Sequence, residues 1–147
     1  KGAKYFTTPL KYYFADIGLR NARLNFRQVE ETHIMENIIY NDLVRRGYNV
    51  DVGVVEYNQT KDNKKKKIQL EVDFVVNRGN IKYYIQSALA LESDEKKEQE
   101  LNSLKRIDDS FKKIIIVKDD IIPRYDEQGI YYIGIKDFLL TDNILEN

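Results

Sequence analysis

The sequence predicts an α/β domain, with α+β as the alternative, in which a mixed central sheet is flanked by helices. Three observations lead there. Residues 68–76 (IQLEVDFVV) and 82–91 (KYYIQSALAL) read as two strands joined by the Asn77-Arg78-Gly79-Asn80 turn. Residues 113–118 (KIIIVK) have no alternation, the pattern of a strand covered on both faces. A helical pattern over 93–108 lies between them, so the buried strand is expected to run parallel to a neighbour after a helical crossover.

Composition narrows the function classes. The 147 residues fit one domain with a real core. Lys plus Arg total 24 and Asp plus Glu total 24, so there is no overall basic field and any nucleic-acid contact must come from a local patch. With no cysteine, disulfides, thiolate zinc sites and cysteine nucleophiles are excluded, and a cytoplasmic location is expected. The apolar runs are only a few residues long, so no membrane partner is expected. The chain starts at Lys1 without methionine, and residues 1–147 are read as a single domain of a larger protein, with 1–26 an N-terminal arm and short helix packed on it.

In chain order, residues 4–15 (KYFTTPLKYYFA) are aromatic and broken by Pro9, which suggests an extended arm followed by a strand over 11–15. Asp16 can cap a short helix through Leu24. Tyr5, Phe6, Tyr12, Tyr13 and Phe14 could stack on bases, although packing against the core is the ordinary role of such clusters. Residues 30–46 read as the main helix, with Thr32 as its cap and Gly47 as its stop. Ile34, Met35, Ile38, Ile39 and Leu43 form its apolar arc, and Glu36 falls on the edge, where a carboxylate needs a partner. His33 is the only histidine and cannot build a histidine metal cluster.

Residues 48–57 alternate as the first sheet strand. Residues 58–67 (NQTKDNKKKK) break periodicity and read as a polar hairpin tip, in which Lys64, Lys65, Lys66 and Lys67 are the candidate nucleic-acid contacts. In 68–76 the apolar row Ile68, Leu70, Val72, Phe74 and Val76 places Asp73 on the opposite face. Gln86 and Ala88, two apart, share a face of the next strand and are expected opposite Asp73. Ser93 caps the second helix, whose stripe is Leu101, Leu104 and Ile107. A turn at Asp126-Glu127-Gln128-Gly129 leads into a last strand over 130–135, and 136–140 form a short helix.

This order of helix Glu36, strand Asp73 and strand Gln86-Ser87-Ala88 resembles the PD-(D/E)XK nuclease superfamily, which has a restriction-endonuclease-like core. More specifically, the blocks KYYFADIGLRN at 11–21, Glu36-Asn37, EVDFV at 71–75 and the strand over 112–119 resemble the C-terminal domain of unknown function of bacterial and archaeal AAA+ type ATPases. The resemblance implies a degenerate nuclease site of Glu36, Asp73 and Gln86. Asp73 and Glu36 would be the ligands of Mg or Mn, and Gln86 and Ala88 stand where relatives carry an acid and a lysine. Gln86 offers only a neutral carbonyl and Ala88 neither charge nor proton, so an inactive domain is expected. Lys96 or Lys97 on the following helix could supply the missing cation, and a solvated face is their ordinary reading. No Gly-Lys-Ser or Gly-Lys-Thr is present, so ATP would bind only in an upstream module. The implied partners are that ATPase module in cis, nucleic acid, and a protein partner or second copy. The leading expectation is a non-catalytic domain that recognises nucleic acid or a protein. A weak Mg- or Mn-dependent DNA nuclease and a protein-interaction or oligomerisation module are the alternatives.

Overall fold

A computed structural model describes residues 11–27, 30–61, 64–90 and 94–146. The elements are α1 (Ile17–Arg23), α2 (Glu31–Arg45), β1 (Asn49–Lys61), β2 (Lys64–Arg78), β3 (Ile81–Ala88), α3 (Asp94–Lys105), β4 (Lys112–Val117), β5 (Arg124–Tyr125), β6 (Tyr131–Gly134) and α4 (Ile135–Leu140). They build a six-stranded mixed sheet in the order β1-β2-β3-β4-β6-β5, with helices on both faces.

The KIIIV run takes the central place its composition requires. β4 lies parallel to β3 on one side and to β6 on the other. Ile114 and Ile116 pack on one face with Met35, Ile39 and Leu43 of α2 and Phe138 of α4. Ile115 and Val117 pack on the other with Leu101 and Leu104 of α3. Each fully buried aliphatic side chain contributes about 1.5–3 kcal/mol, so this strand anchors both layers. The short β5, paired antiparallel to β6, has no counterpart in the sequence reading, because two residues carry no periodicity.

Three local expectations change. Residues 11–15 are extended but join no strand, because side-chain amides take the place of a ladder. Asn37 Oδ1 accepts from the Phe14 N–H at 2.9 Å, while Asn37 Nδ2 and Asn41 Nδ2 donate to the Phe14 carbonyl at 2.8 and 2.9 Å. α2 starts two residues earlier than a Thr32 cap allows; Glu30 is its N-cap residue, without a side-chain cap bond. Gly47 ends it at φ +83, the left-handed conformation glycine adopts without strain. Finally, the polar stretch read over 58–67 belongs to the β1–β2 hairpin as expected, but the strands reach further into it than the 48–57 and 68–76 bounds. β1 and β2 stay paired from Asn58↔Lys67 out to Lys61↔Lys64.

Asp16 caps α1 as expected, accepting from the Leu19 N–H at 2.9 Å. At the other end of the chain, Arg46 ties α2 to α4. Its guanidinium lies 2.6 Å from Asp42 and donates to the carbonyls of Phe138 at 2.6 Å and Thr141 at 2.9 Å, closing the C-terminal turn of α4.

Candidate functional site

The site begins with an irregularity in β2. Asp51 pairs with Val75 and Gly53 with Val72, so β2 has one more residue than β1 in this interval, a β-bulge at Asp73-Phe74. The bulge swaps faces. Val72 packs on the α3 side while Phe74 and Val76 pack on the α2 side. Asp73 therefore does not lie opposite the whole apolar row; its carboxylate points to the α2 side, alongside Phe74. Gly53 permits the close approach, since a Cβ there would meet Val75 Cγ2 at 2.7 Å and Val72 Cβ at 3.0 Å.

The β2–β3 ladder stops at Phe74↔Ile85, and polar side chains complete it. The Asp73 N–H donates to Gln86 Oε1 at 3.3 Å. Asp73 Oδ2 accepts from both the N–H of Ser87 at 2.9 Å and its hydroxyl at 3.0 Å. The β3 residue that meets the carboxylate is thus Ser87, one position away from the expected Gln86 and Ala88 pair. Ala88 faces the opposite layer among Leu101 and Leu104, because successive strand residues alternate.

Glu36 approaches from α2, and the cation that joins it to Asp73 comes from the N-terminal arm. Lys11 Nζ lies 2.5 Å from Glu71 Oε1, 3.1 Å from Glu36 Oε2 and 3.2 Å from Asp73 Oδ1. Burial alone would lower the Lys11 pKa, but the hydrogen bond to Glu71 and the charges of Asp73 and Glu36 outweigh it and hold the ammonium well above its ordinary value. Glu36 is raised above the ordinary carboxyl range, first by burial and then by the charge of Asp73, which the shared ammonium does not fully offset. Burial likewise raises the Tyr13 phenol. Its ring stacks on Tyr40 at 4.2 Å, and its buried hydroxyl has no hydrogen-bond partner among the described residues.

These groups line a cleft of about 520 Å³ whose wall also carries Arg20 and His33. His33 is exposed and lies 2.9 Å from Glu30. Tyr12 is 77% exposed, so it is not the core contact expected of that aromatic cluster; Tyr13 is. The structure brings Glu36 and Asp73 together and places Gln86 behind Asp73, on its backbone. The sequence reading missed Lys11, Glu71 and Ser87. The i, i+2 spacing of Glu71 and Asp73 was the available signal for Glu71. Lys65, Lys66 and Lys67 are exposed on the β1–β2 ribbon, away from the cleft. The side chains of Lys64, Lys96 and Lys97, and the Ser93 cap, lie outside the described residues.

A divalent ion does not fit this arrangement. Mg²⁺ would need carboxylate oxygens at about 2.0–2.1 Å around the point where the Lys11 ammonium sits, and the two cations exclude one another. Among the described residues no group of three or more His, Asp or Glu is set to hold a metal ion. No helix of the described residues is long and apolar enough to cross a membrane.

The fold and cleft define a mixed-sheet α/β domain with a carboxylate cluster bridged by a lysine of its own N-terminal arm. The chain belongs to the family described as a domain of unknown function (DUF4143), whose model matches residues 31–138. It is 32% identical over 144 residues to an "Uncharacterized protein" of Haemophilus influenzae (strain ATCC 51907 / DSM 11121 / KW20 / Rd). That match covers 95% of this chain and 31% of the relative, so the chain spans about a third of its length. No solved structure matches.

Proposed function

We propose that this chain is a non-catalytic, nuclease-like domain that follows an AAA+ type ATPase module and recognises nucleic acid for it. The observation that carries the reading is Lys11 held among Glu36, Glu71 and Asp73. Metal-assisted phosphodiester hydrolysis needs the carboxylates free for a cation and a positive group beside the developing oxyanion. Here the carboxylates are engaged within the chain, and Ala88 faces away from them. The family is often a C-terminal domain of ATPases, which supports the placement beside a motor; nucleotide hydrolysis belongs to that module in this reading.

The test is incubation of plasmid and short duplex DNA with Mg²⁺ or Mn²⁺, beside fluorescence anisotropy with labelled oligonucleotides in metal-free buffer. The expected result is salt-sensitive binding without cleavage. Metal-dependent cleavage that disappears in Asp73→Asn would establish the nuclease instead.

A protein partner is the second reading, favoured by α1, which has no buried residue and leaves Leu19 71% exposed, with Phe26 just beyond it 68% exposed. Light scattering that shows self-association, together with no response to any oligonucleotide, would select it.

A further inference from the structure

The outer part of the β1–β2 ribbon, beyond Tyr57↔Ile68, lines none of the cleft, and its geometry and charge point to a ligand. β2 pairs with β3 only from Phe74 to Arg78, whereas it pairs with β1 all the way out to Lys64. On the α3 side the ribbon is supported as far as Tyr57, whose ring lies 3.6 Å from the Arg106 guanidinium carbon. Beyond Tyr57↔Ile68 come the four pairs Asn58↔Lys67, Gln59↔Lys66, Thr60↔Lys65 and Lys61↔Lys64. At about 3.4 Å per residue they carry the ribbon roughly 13 Å past this last support among the described residues.

Charge is concentrated there. Residues 57–69 contain five lysines and one aspartate, a net of +4 (five minus one), in a chain whose formal net charge is 0. Alternation divides the lysines between two faces. Lys67 shares a face with Glu56 and Gln69, which contact one another at 2.5 Å (Lys67 to Glu56) and 2.7 Å (Gln69 to Glu56), and Lys65 is two residues further along it. Lys66 lies on the other face, that of Tyr57. The exposed Lys67–Glu56 pair is of the kind worth at most about 1 kcal/mol, so a phosphate can compete for that lysine.

We infer that this ribbon is a groove-binding arm for duplex nucleic acid, in which Lys65 and Lys67 meet one phosphate wall and Lys66 the other. A two-stranded ribbon fits the major groove of B-form DNA, about 12 Å wide and about 8.5 Å deep, and the unsupported length is enough to span that depth. The lysines neutralise backbone charge without reading sequence, so the binding is general for duplexes. The inference rests on the nucleic-acid reading above and adds to it the element, the face and the form of the ligand.

The test compares the unsubstituted protein with the triple variant Lys65→Ala, Lys66→Ala, Lys67→Ala, using anisotropy of a labelled duplex of about 20 base pairs and its single strand over a salt series. Circular dichroism checks the fold, and Lys136→Ala, a lysine paired with Asp120 elsewhere, is the control. The expected result is duplex binding that weakens roughly tenfold or more in the triple variant at low salt. The slope of log affinity against log salt should also become shallower by about 2–3, close to 0.9 for each phosphate no longer neutralised. Duplex binding with an unchanged slope in the triple variant would overturn the ribbon assignment while leaving nucleic-acid recognition standing. Single-strand binding stronger than duplex binding would overturn the groove geometry. No binding to either oligonucleotide by the unsubstituted protein would overturn both readings.

Discussion

Ser87 donates twice to the carboxylate of Asp73, from its backbone N–H at 2.9 Å and from its hydroxyl at 3.0 Å. This joins β2 to β3 where the regular ladder has ended. Asp73→Ala leaves both donors without an acceptor in a buried place and should cost about 1–3 kcal/mol. Ser87→Ala removes one of them and should cost less, about 1 kcal/mol. Urea unfolding of the two variants measures the difference; an Asp73→Ala protein as stable as the unsubstituted one would show that the carboxylate has no structural role.

Lys11 and Glu36 give a pH signature. Lys11→Met removes the cation shared by three carboxylates and should destabilise by about 2 kcal/mol near neutral pH, with a smaller loss in acid, where those carboxyls take up protons. Glu36 behaves differently from a simple ion-pair partner. Its folded pKa lies above the unfolded value, so the stability it contributes is fully present below the unfolded pKa and is lost as pH rises through the folded one. Glu36→Gln cannot ionise and should gain on the unsubstituted protein as pH rises from about 4 to 7. Denaturation curves across that range check the sign, and a difference that stays flat would contradict it.

Gly53 faces β2 where the bulge brings Val72 and Val75 close. A methyl group at position 53 has to displace one of two branched side chains, and Gly53→Ala should cost about 1–3 kcal/mol through overpacking. A melting temperature equal to that of the unsubstituted protein would mean that the bulge relaxes without cost.

Tyr13 carries a polar atom that gains nothing where it sits. Its hydroxyl is buried without a partner among the described residues, while its ring stacks on Tyr40 and packs near Phe74. Tyr13→Phe keeps the ring and removes the unsatisfied group, so stability should hold or rise by up to about 1 kcal/mol. A clear loss in a thermal melt would reveal a partner for the hydroxyl.

The elements that could be read from sequence are those with strong local signals. KIIIV announces a doubly covered strand, Asp16 its helix start and Gly47 its helix stop, and all three take those places. The bulge was not legible, because the alternation of IQLEVDFVV runs straight through it; its signs are the register with β1 and the small residue at Gly53. That slip of one residue also explains why Ser87, rather than Gln86 and Ala88, meets Asp73. The strand expected over 11–15 failed because Asn37 and Asn41 supply by side chain what a neighbouring strand would supply by backbone. Lys11 lies 62 positions from Asp73, and no periodicity connects an arm to a sheet across that distance.

The arm beyond Tyr57 and the centre of the sheet belong to different regimes of cooperativity. Amides of β4 sit between two ladders under both helical layers, so their exchange with deuterated water should await global unfolding. Those between Asn58 and Lys61 are paired to a single strand in solvent and should exchange through local fraying, orders of magnitude sooner. A protease that samples such openings would therefore trim the projecting hairpin first and leave the carboxylate cluster folded behind it.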